Sequence, residues 1–505
     1  MRLMRQSKSN AEGVLLKRLE EFADAKRNLL CQLEELEVQI KATQRELNAL
    51  HNLHAPTSSF PDEVLAMVFE AGINLITGST RHFGPLVSHV TRRWRTVALA
   101  TPRLWSTIRW AQPFTANEID RVATFLSRSR ASPVEIYHPP YDFPPRDVPP
   151  EFLQLTRDHI SHCAHISIWG VHHDYLSTVL ESLVCHPAPM LKSIDLGLNE
   201  ESEPIPSLNT HPHLFRAPLL TIAHLSSIQA SDLIFCLPEC KHLTSLRLSN
   251  LYLDDTEERD CASFRNALMA MPSLYYLDLQ LATSVESFDL RAVFLHTIKF
   301  LRVQAVHQRA LEGFINSIYA KSLTSLYLRR ESFGETRLAG EENWASHFPT
   351  LHHLIITNST RGPPNIGIIA RRLPGIKHLT YQVYPWSKTS HVGHLLDAIS
   401  LAAGHNVDET DTPASRPTNG RPLIPWPELN TIAVPAINEN NALQMHEKIL
   451  NLQAAGYHIR KLKLPMRFFS RHMESTERLQ SIVNLEEYSL EWPTLPYGRH
   501  PGKDW

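Results

Sequence analysis

Residues 241–251 read KHLTSLRLSNL, residues 272–281 read PSLYYLDLQL and residues 322–330 read SLTSLYLRR. Each contains the phrase apolar-x-x-apolar-x-apolar: Leu243/Leu246/Leu248, Leu274/Leu277/Leu279 and Leu323/Leu326/Leu328. Upstream the phrase recurs at Leu191/Ile194/Leu196 and Leu220/Ala223/Leu225, with a degenerate first copy at Cys163/Ile166/Ile168. Further copies stand at Ile298/Leu301/Val303, Leu351/Leu354/Ile356, Ile376/Leu379/Tyr381, Leu429/Ile432/Val434, Ile459/Leu462/Leu464 and Leu485/Tyr488/Leu490. Successive copies start 28, 29, 23, 31, 24, 25, 28, 25, 53, 30 and 26 residues apart. The interval of 53 spans two repeat lengths and contains the helical HVGHLLDAISLAA and a polar stretch over 404–427. Proline stands two residues before the first apolar position at Pro189, Pro218, Pro272, Pro349, Pro374 and Pro427, where it stops a helix and lets a strand begin.

Helical faces precede several of these strands, among them Phe264/Leu268/Met271, Leu311/Phe314/Ile315/Ile318 and Ile369/Arg372/Leu373. Each unit therefore reads helix, turn, short strand, the plan of a leucine-rich repeat at the long end of its period. A single unit cannot bury its own apolar side, but a stack can, so an α/β solenoid with a parallel sheet on its inner face is expected over 161–492, followed by a tail at 493–505. The Asn expected after each strand is mostly missing: Asn199 fits, while Leu251, Ala282 and Glu331 stand at equivalent places, which makes the solenoid irregular. Residues between the apolar positions should face solvent on the concave side. Tyr276, Asp278, Phe300, Arg302, Tyr327, Arg329 and His353 lie on neighbouring strands there, and Tyr and Arg are the types that supply binding hot spots. They read equally well as ordinary solvated strand residues.

Ahead of the repeats, the steps Leu15, Leu19, Phe22, Lys26, Leu29, Leu33, Leu36, Ile40, Thr43, Leu47 and Leu50 alternate four and three without a slip, and nine of the eleven are apolar. This is the seam of a coiled coil over 14–54, with Lys26 placed to specify register. Two readings stay open: a homodimer through this helix, or an amphipathic helix packed back on its own chain. Residues 58–77 then read SSFPDEVLAMVFEAGINLIT, with Ser59 and Asp62 as a capping box, Pro61 in the first turn and Gly72 as the stop. Val64, Leu65, Val68 and Phe69 form one apolar stripe. Val87, Val90, Trp94, Val97 and Ala98 share a second helical face, which Pro102 ends. This pair of helices is small for an independent core, so part of its apolar surface should await a partner. A proline-rich connector, HPPYDFPPRDVPP at 138–150, falls inside an expected linker region, 111–160.

The string FPDEVLAMVFEAG followed by LVSHVTRRWRTVALATPRLW resembles the F-box, in the form common among F-box-like proteins of mushroom-forming fungi, where a short heptad helix often precedes it. The resemblance covers about the first fifth of the chain, with Phe60 where the family usually has Leu. It implies a small all-α F-box-like domain over 56–110 that docks onto the Skp-type adaptor of a cullin ubiquitin ligase. By position it assigns adaptor contact to Phe60, Pro61, Val64, Leu65, Val68, Phe69 and Trp94, although Trp94 fits the core of the helical unit as well. The chain would then be a substrate receptor of the SCF type, holding an unidentified protein target on the repeats while ubiquitin transfer occurs on its partners. A scaffold that oligomerises through the heptad helix, without a ligase, is the alternative.

Composition bounds the remaining possibilities. Against 50 Lys+Arg stand 52 Asp+Glu, a formal charge of −2 over 505 residues, which argues against nucleic-acid binding as the governing feature. There is no apolar run of membrane-spanning length, no glycine-rich phosphate loop, no G-x-S-x-G and no H-E-x-x-H, so neither membrane nor cofactor nor catalytic residue is expected. His159, His162, Cys163 and His165 have ligand-like spacing, but Cys163 belongs to the first repeat, which scatters the histidines, so no metal is expected there. The six cysteines lack a framework spacing and the N-terminal MRLMRQSKSNAEG has no hydrophobic stretch, both expected of a cytosolic or nuclear protein.

Overall fold

The computed structural model describes residues 2–53, 55–73, 82–110, 115–137, 150–171, 186–198, 217–230, 233, 240–253, 258–282, 285, 291–330, 344–358, 366–383, 392–404, 424, 426–435 and 439–489. The proline-rich stretch at 138–149, most of the polar stretch 404–427, Asn199, Glu331 and the tail 493–505 lie outside them. The chain divides into two compact units, Met1–Leu104 and Trp105–Trp505.

In the first unit a single helix, α1 (Arg2–Leu53), carries the heptad seam. No Pro or Gly interrupts it from 14 to 53, and the side chains from 13 to 52 are all exposed, the seam among them. Helices α2 (Asp62–Ile73), α3 (Phe83–Ser88) and α4 (Arg92–Ala100) follow. Val87, Trp94 and Val97 do not sit on one continuous helix as expected. The chain breaks at His89–Val90, and Thr91 caps α4 by accepting the Trp94 N–H at 3.1 Å. Nor does Ser59 cap α2: its hydroxyl donates to the Pro56 carbonyl at 3.1 Å, inside a preceding 3-10 turn. Gly72 is buried within the last turn of α2 and does not end it in a left-handed conformation; the Phe83 ring lies where a Cβ would stand, 2.4 Å from that position.

The second unit is built on one parallel sheet of 14 strands that follow one another in chain order. They are β1 (Thr107–Arg109), β2 (Val134–Tyr137), β3 (Cys163–Val171), β4 (Ser193–Leu198), β5 (Ile222–Ser226), β6 (Ser245–Leu251) and β7 (Tyr276–Leu281). Past the short β8 (Val293–Phe294) come β9 (Phe300–Ala305), then, past β10 (Ile318–Tyr319), β11 (Ser325–Arg330), β12 (His353–Asn358) and β13 (His378–Val383). The series ends with β14 (Thr431–Ala433), β15 (Lys461–Leu464) and β16 (Asn484–Glu487); β8 and β10 pair separately with each other.

The middle apolar position of the phrase sets the register. Ile166, Ile194, Ala223, Leu246, Leu277, Leu301, Leu326, Leu354, Leu379, Ile432, Leu462 and Leu485 are paired in sequence across the sheet. All but Leu485 are at most 1% exposed, which makes this row the floor of the core. The prolines mark tight turns as well as helix ends. Leu191, Leu220, Leu274, Leu351 and Leu429 each donate N–H to the carbonyl three residues back, and the proline occupies the first corner of the turn. Just before each sheet strand from β4 to β14 one carbonyl accepts two N–H groups from the next unit; that of Thr244 takes Tyr275 and Tyr276, and that of Lys299 takes Thr324 and Ser325.

Two expectations about boundaries are corrected. Residues 111–160 are not a linker: α5 (Ala116–Ser129), β2 and α6 (Pro150–His159) form there, and the sheet begins earlier still, at β1. Trp105, Ile108 and Trp110 are 1%, 0% and 3% exposed, Trp105 against Phe125 and Trp110 against Phe152, so the tail of the expected 56–110 domain belongs to the sheet. In addition β13 pairs directly with β14, so the interval of two repeat lengths makes one step of the sheet. It contains the helix Val392–Gly404, whose Asp397 pairs with Lys448 on the helix Glu439–Ala454.

Candidate functional site

The residues assigned to adaptor contact separate into two groups. Leu65 and Phe69 are 0% and 1% exposed and hold α2 to the rest of the first unit, with Phe69 tilted against Trp94 at 4.9 Å. Trp94 is half-buried. The other side of α2 is apolar as well: Phe60 is 37% exposed, Val64 39%, Met67 69% and Val68 49%, and Pro61 is exposed beside them. Leu86 and Val90 are likewise open to solvent. A helix apolar on all sides is ordinarily enclosed, and here one side is left uncovered. The four-residue stripe of the sequence was therefore two faces, and Met67 was missing from it.

Arg93 was also missed. Its Nε donates to Asp62 Oδ1 at 2.9 Å, one Nη donates to the Ser58 carbonyl at 2.7 Å and the other to the Phe60 carbonyl. One guanidinium on α4 thus fixes the approach to α2 and the position of Phe60, using the donor fork that Lys lacks. Such a long-range clamp has no sequence signature beyond an Arg beside a Trp.

The sheet face opposite the leucine row differs from its expected form. Tyr276, Asp278, Arg302 and Tyr327 are at most 3% exposed, and only Phe300, Arg329 and His353 remain half-buried. The four are therefore withdrawn as a surface that meets a target. Parallel strands stand close to 4.8 Å apart, so long side chains in adjacent rows cover one another. Tyr276, Tyr327 and Ile355 form a buried cluster with Phe300 packed against it. Asp278 is the hub: its Oδ2 accepts the Tyr276 hydroxyl at 3.1 Å and lies 3.4 Å from both Arg247 Nε and Arg302 Nη1. Arg302 also stacks 4.7 Å from the Tyr327 ring, whose hydroxyl accepts from Thr357 at 2.6 Å.

A second polar chain runs over β3 to β6. Ser167 donates to Asp195 Oδ2 at 3.1 Å, His224 Nδ1 is 2.8 Å from Asp195 Oδ1, and His224 Nε2 is 2.8 Å from Ser249 Oγ. Burial pushes His224 below the ordinary histidine range and outweighs Asp195, which acts in the opposite sense. The contact is then a neutral imidazole beside a carboxylate and not an ion pair. His165, 2.5 Å from Ser193 Oγ, is lowered by burial to about 4.

The cluster with ligand-like spacing is split between the end of α6 (His159), a 3-10 turn (His162) and β3 (Cys163, His165). Cys163 is buried, its thiol donates to the His159 carbonyl at 3.3 Å, and burial pushes it up to about 12, which keeps it a thiol. His165 turns toward Ser193, and His159 and His162 pack ring to ring at 5.1 Å. Among the described residues no group of three or more His, Cys, Asp or Glu side chains has metal-binding geometry. A shallow depression of about 20 Å³ beside His353, His378, Thr380, Lys463 and Tyr488 has room for a water molecule. Among the described residues no helix is long and apolar enough to cross a membrane.

Two further aromatic groups lie outside the residues assigned to the concave face, one of them on the separate β8–β10 pair. Phe294, 45% exposed, stacks on Tyr319 at 5.2 Å; Tyr319 meets His347 at 4.0 Å, and Lys299 lies 5.6 Å from the Tyr275 ring. No protein-family model matches the chain, and no curated protein matches it.

Proposed function

We propose that the chain is a substrate receptor of a cullin-type (SCF) ubiquitin ligase, binding a Skp-type adaptor through α2 and a protein target through the sheet unit. The observation that carries this reading is the uncovered apolar side of α2, Phe60, Val64, Met67 and Val68, in the segment that resembles an F-box. The second unit reads as an irregular leucine-rich-repeat solenoid, supported by parallel strands in chain order, a repeating turn and the leucine row. Its target contact falls to Phe300, Arg329 and His353 and to the exposed aromatics Phe294 and Tyr275, aromatic and cationic types that anchor interfaces. No catalytic residue and no cofactor is assigned to the chain. Its contribution is proximity, which turns an encounter in solution into a local one. Cytosol or nucleus suits that role and the scattered cysteines.

The test is capture of a purified Skp-type adaptor by the full chain and by a Val64→Asp, Val68→Asp variant. Binding by the parent and loss in the variant, with thermal unfolding unchanged, supports the reading; equal binding by both, or by neither, defeats it. The pair Leu65→Asp, Phe69→Asp is unsuitable, because both side chains hold the unit together. A second reading, a scaffold without a ligase, is favoured by the bare seam of α1 and predicts self-association with no adaptor capture.

A further inference from the structure

The nine apolar seam side chains of α1 are 45–69% exposed, and the order of the seam residues says what covers them. The midpoint of the seam from Leu19 to Leu50 falls between Glu34 and Glu35. Reversing the helix about that point places Leu19 on Leu50, Phe22 on Leu47, Leu29 on Ile40 and Leu33 on Leu36. The two polar positions, Lys26 and Thr43, then fall on each other. We propose that α1 pairs with α1 of a second copy as an antiparallel coiled coil in which Lys26 faces the partner's Thr43.

The competing alignments are worse. A parallel pair in register sets Lys26 against the partner's Lys26, in surroundings that offer no relief, since the residues three and four away are Phe22, Ala23, Leu29 and Leu30. An antiparallel pair slid by one heptad sets Lys26 on the partner's Leu36 and Thr43 on the partner's Leu19, which spreads the polar residues over four apolar layers. In the proposed alignment both polar residues share two layers. The Thr43 hydroxyl already donates to the Gln39 carbonyl at 3.0 Å, so it enters the seam satisfied. The flanks oppose no like charges: Leu30 meets the partner's Glu37, Gln32 the partner's Gln39 and Ala25 the partner's Glu46. A stretch that matched some unrelated chain would have no reason to match itself on reversal from Leu19 to Leu50; of the nine apolar seam residues only Leu15 falls outside the paired stretch. The inference does not rest on adaptor binding, because none of these residues belongs to α2.

The experiment is sedimentation equilibrium of the full chain, parent and Thr43→Glu. Antiparallel pairing creates two Lys26–Glu contacts, so the dimer dissociation constant should fall about threefold to tenfold at low salt, with the gain lost at high salt. A weaker dimer, an unchanged one, a higher oligomer or a monomer at all concentrations would overturn the proposal. As a second measurement, full-length Leu19→Cys and Leu50→Cys chains, both carrying Cys31→Ser, are mixed and oxidised. Peptide mapping should find disulfides mainly between positions 19 and 50; disulfides mainly between two copies of position 19 contradict it.

Discussion

The two units invert the usual placement of side chains in opposite ways. In the first, apolar residues are outside: the α1 seam and the Phe60/Val64/Met67/Val68 side of α2 face water. In the second, charge is inside: Asp278 and Arg302 are 3% and 2% exposed on a sheet face that pattern alone assigns to solvent. Exposed apolar surface is stabilised when something covers it, whereas buried charge must be satisfied where it stands, as Asp278 is by Arg247, Arg302 and Tyr276. The first unit thus leaves apolar surface open to solvent, and the inner rows of the second are largely completed by themselves.

The strongest way to break the comparison is Asp278→Asn. It takes from two arginines the carboxylate that Asp278 supplies, and roughly 3–5 kcal/mol of stability should go with it, read by chemical denaturation with adaptor capture unaffected. A loss under about 1 kcal/mol would mean that this charge is not truly buried. Next, Leu65→Ala should cost the first unit about 2–5 kcal/mol, because the residue is wholly enclosed, and the loss of capture should track unfolding.

The third prediction concerns pH. His165 has a folded value near 4 against an ordinary 6.5, so protonation favours the unfolded chain. The stability involved is whole above pH 6.5 and is lost as pH falls from there toward 4, by up to about 3 kcal/mol. His165→Asn should flatten that part of the profile; an unchanged slope would assign it to other groups. The smallest effect sharpens the comparison most: Val64→Ser with Val68→Ser should change stability by no more than about 0.5 kcal/mol per site while abolishing adaptor capture. A large destabilisation would show that this side of α2 is already covered.

Legibility from sequence followed the same division. The leucine row could be read because each of its residues answers to a fixed local spacing and a single core, from Ile166 to Leu462. The sheet starts at β1 because Trp105-x-x-Ile108-x-Trp110 is the same phrase written with tryptophans; the signal was present but began on the last residue of the F-box-like string. Burial of Tyr276 and Tyr327 was not legible, since alternation tells which face a residue takes and not how closely the neighbouring rows crowd it. The Arg93 clamp links residues more than thirty positions apart, and the break between α3 and α4 depends on a Thr91 hydroxyl; neither leaves a periodic trace. On α2, periodicity found the apolar residues but could not divide Leu65 and Phe69 from Val64 and Val68, because five consecutive positions from Val64 to Val68 are all apolar.

The most direct test of the central claim is hydrogen–deuterium exchange of the full chain with and without a Skp-type adaptor. The account predicts new protection concentrated in residues 60–69, with the amides of β6 to β12 unchanged. Protection that rose on those strands while α2 stayed as it was would contradict it.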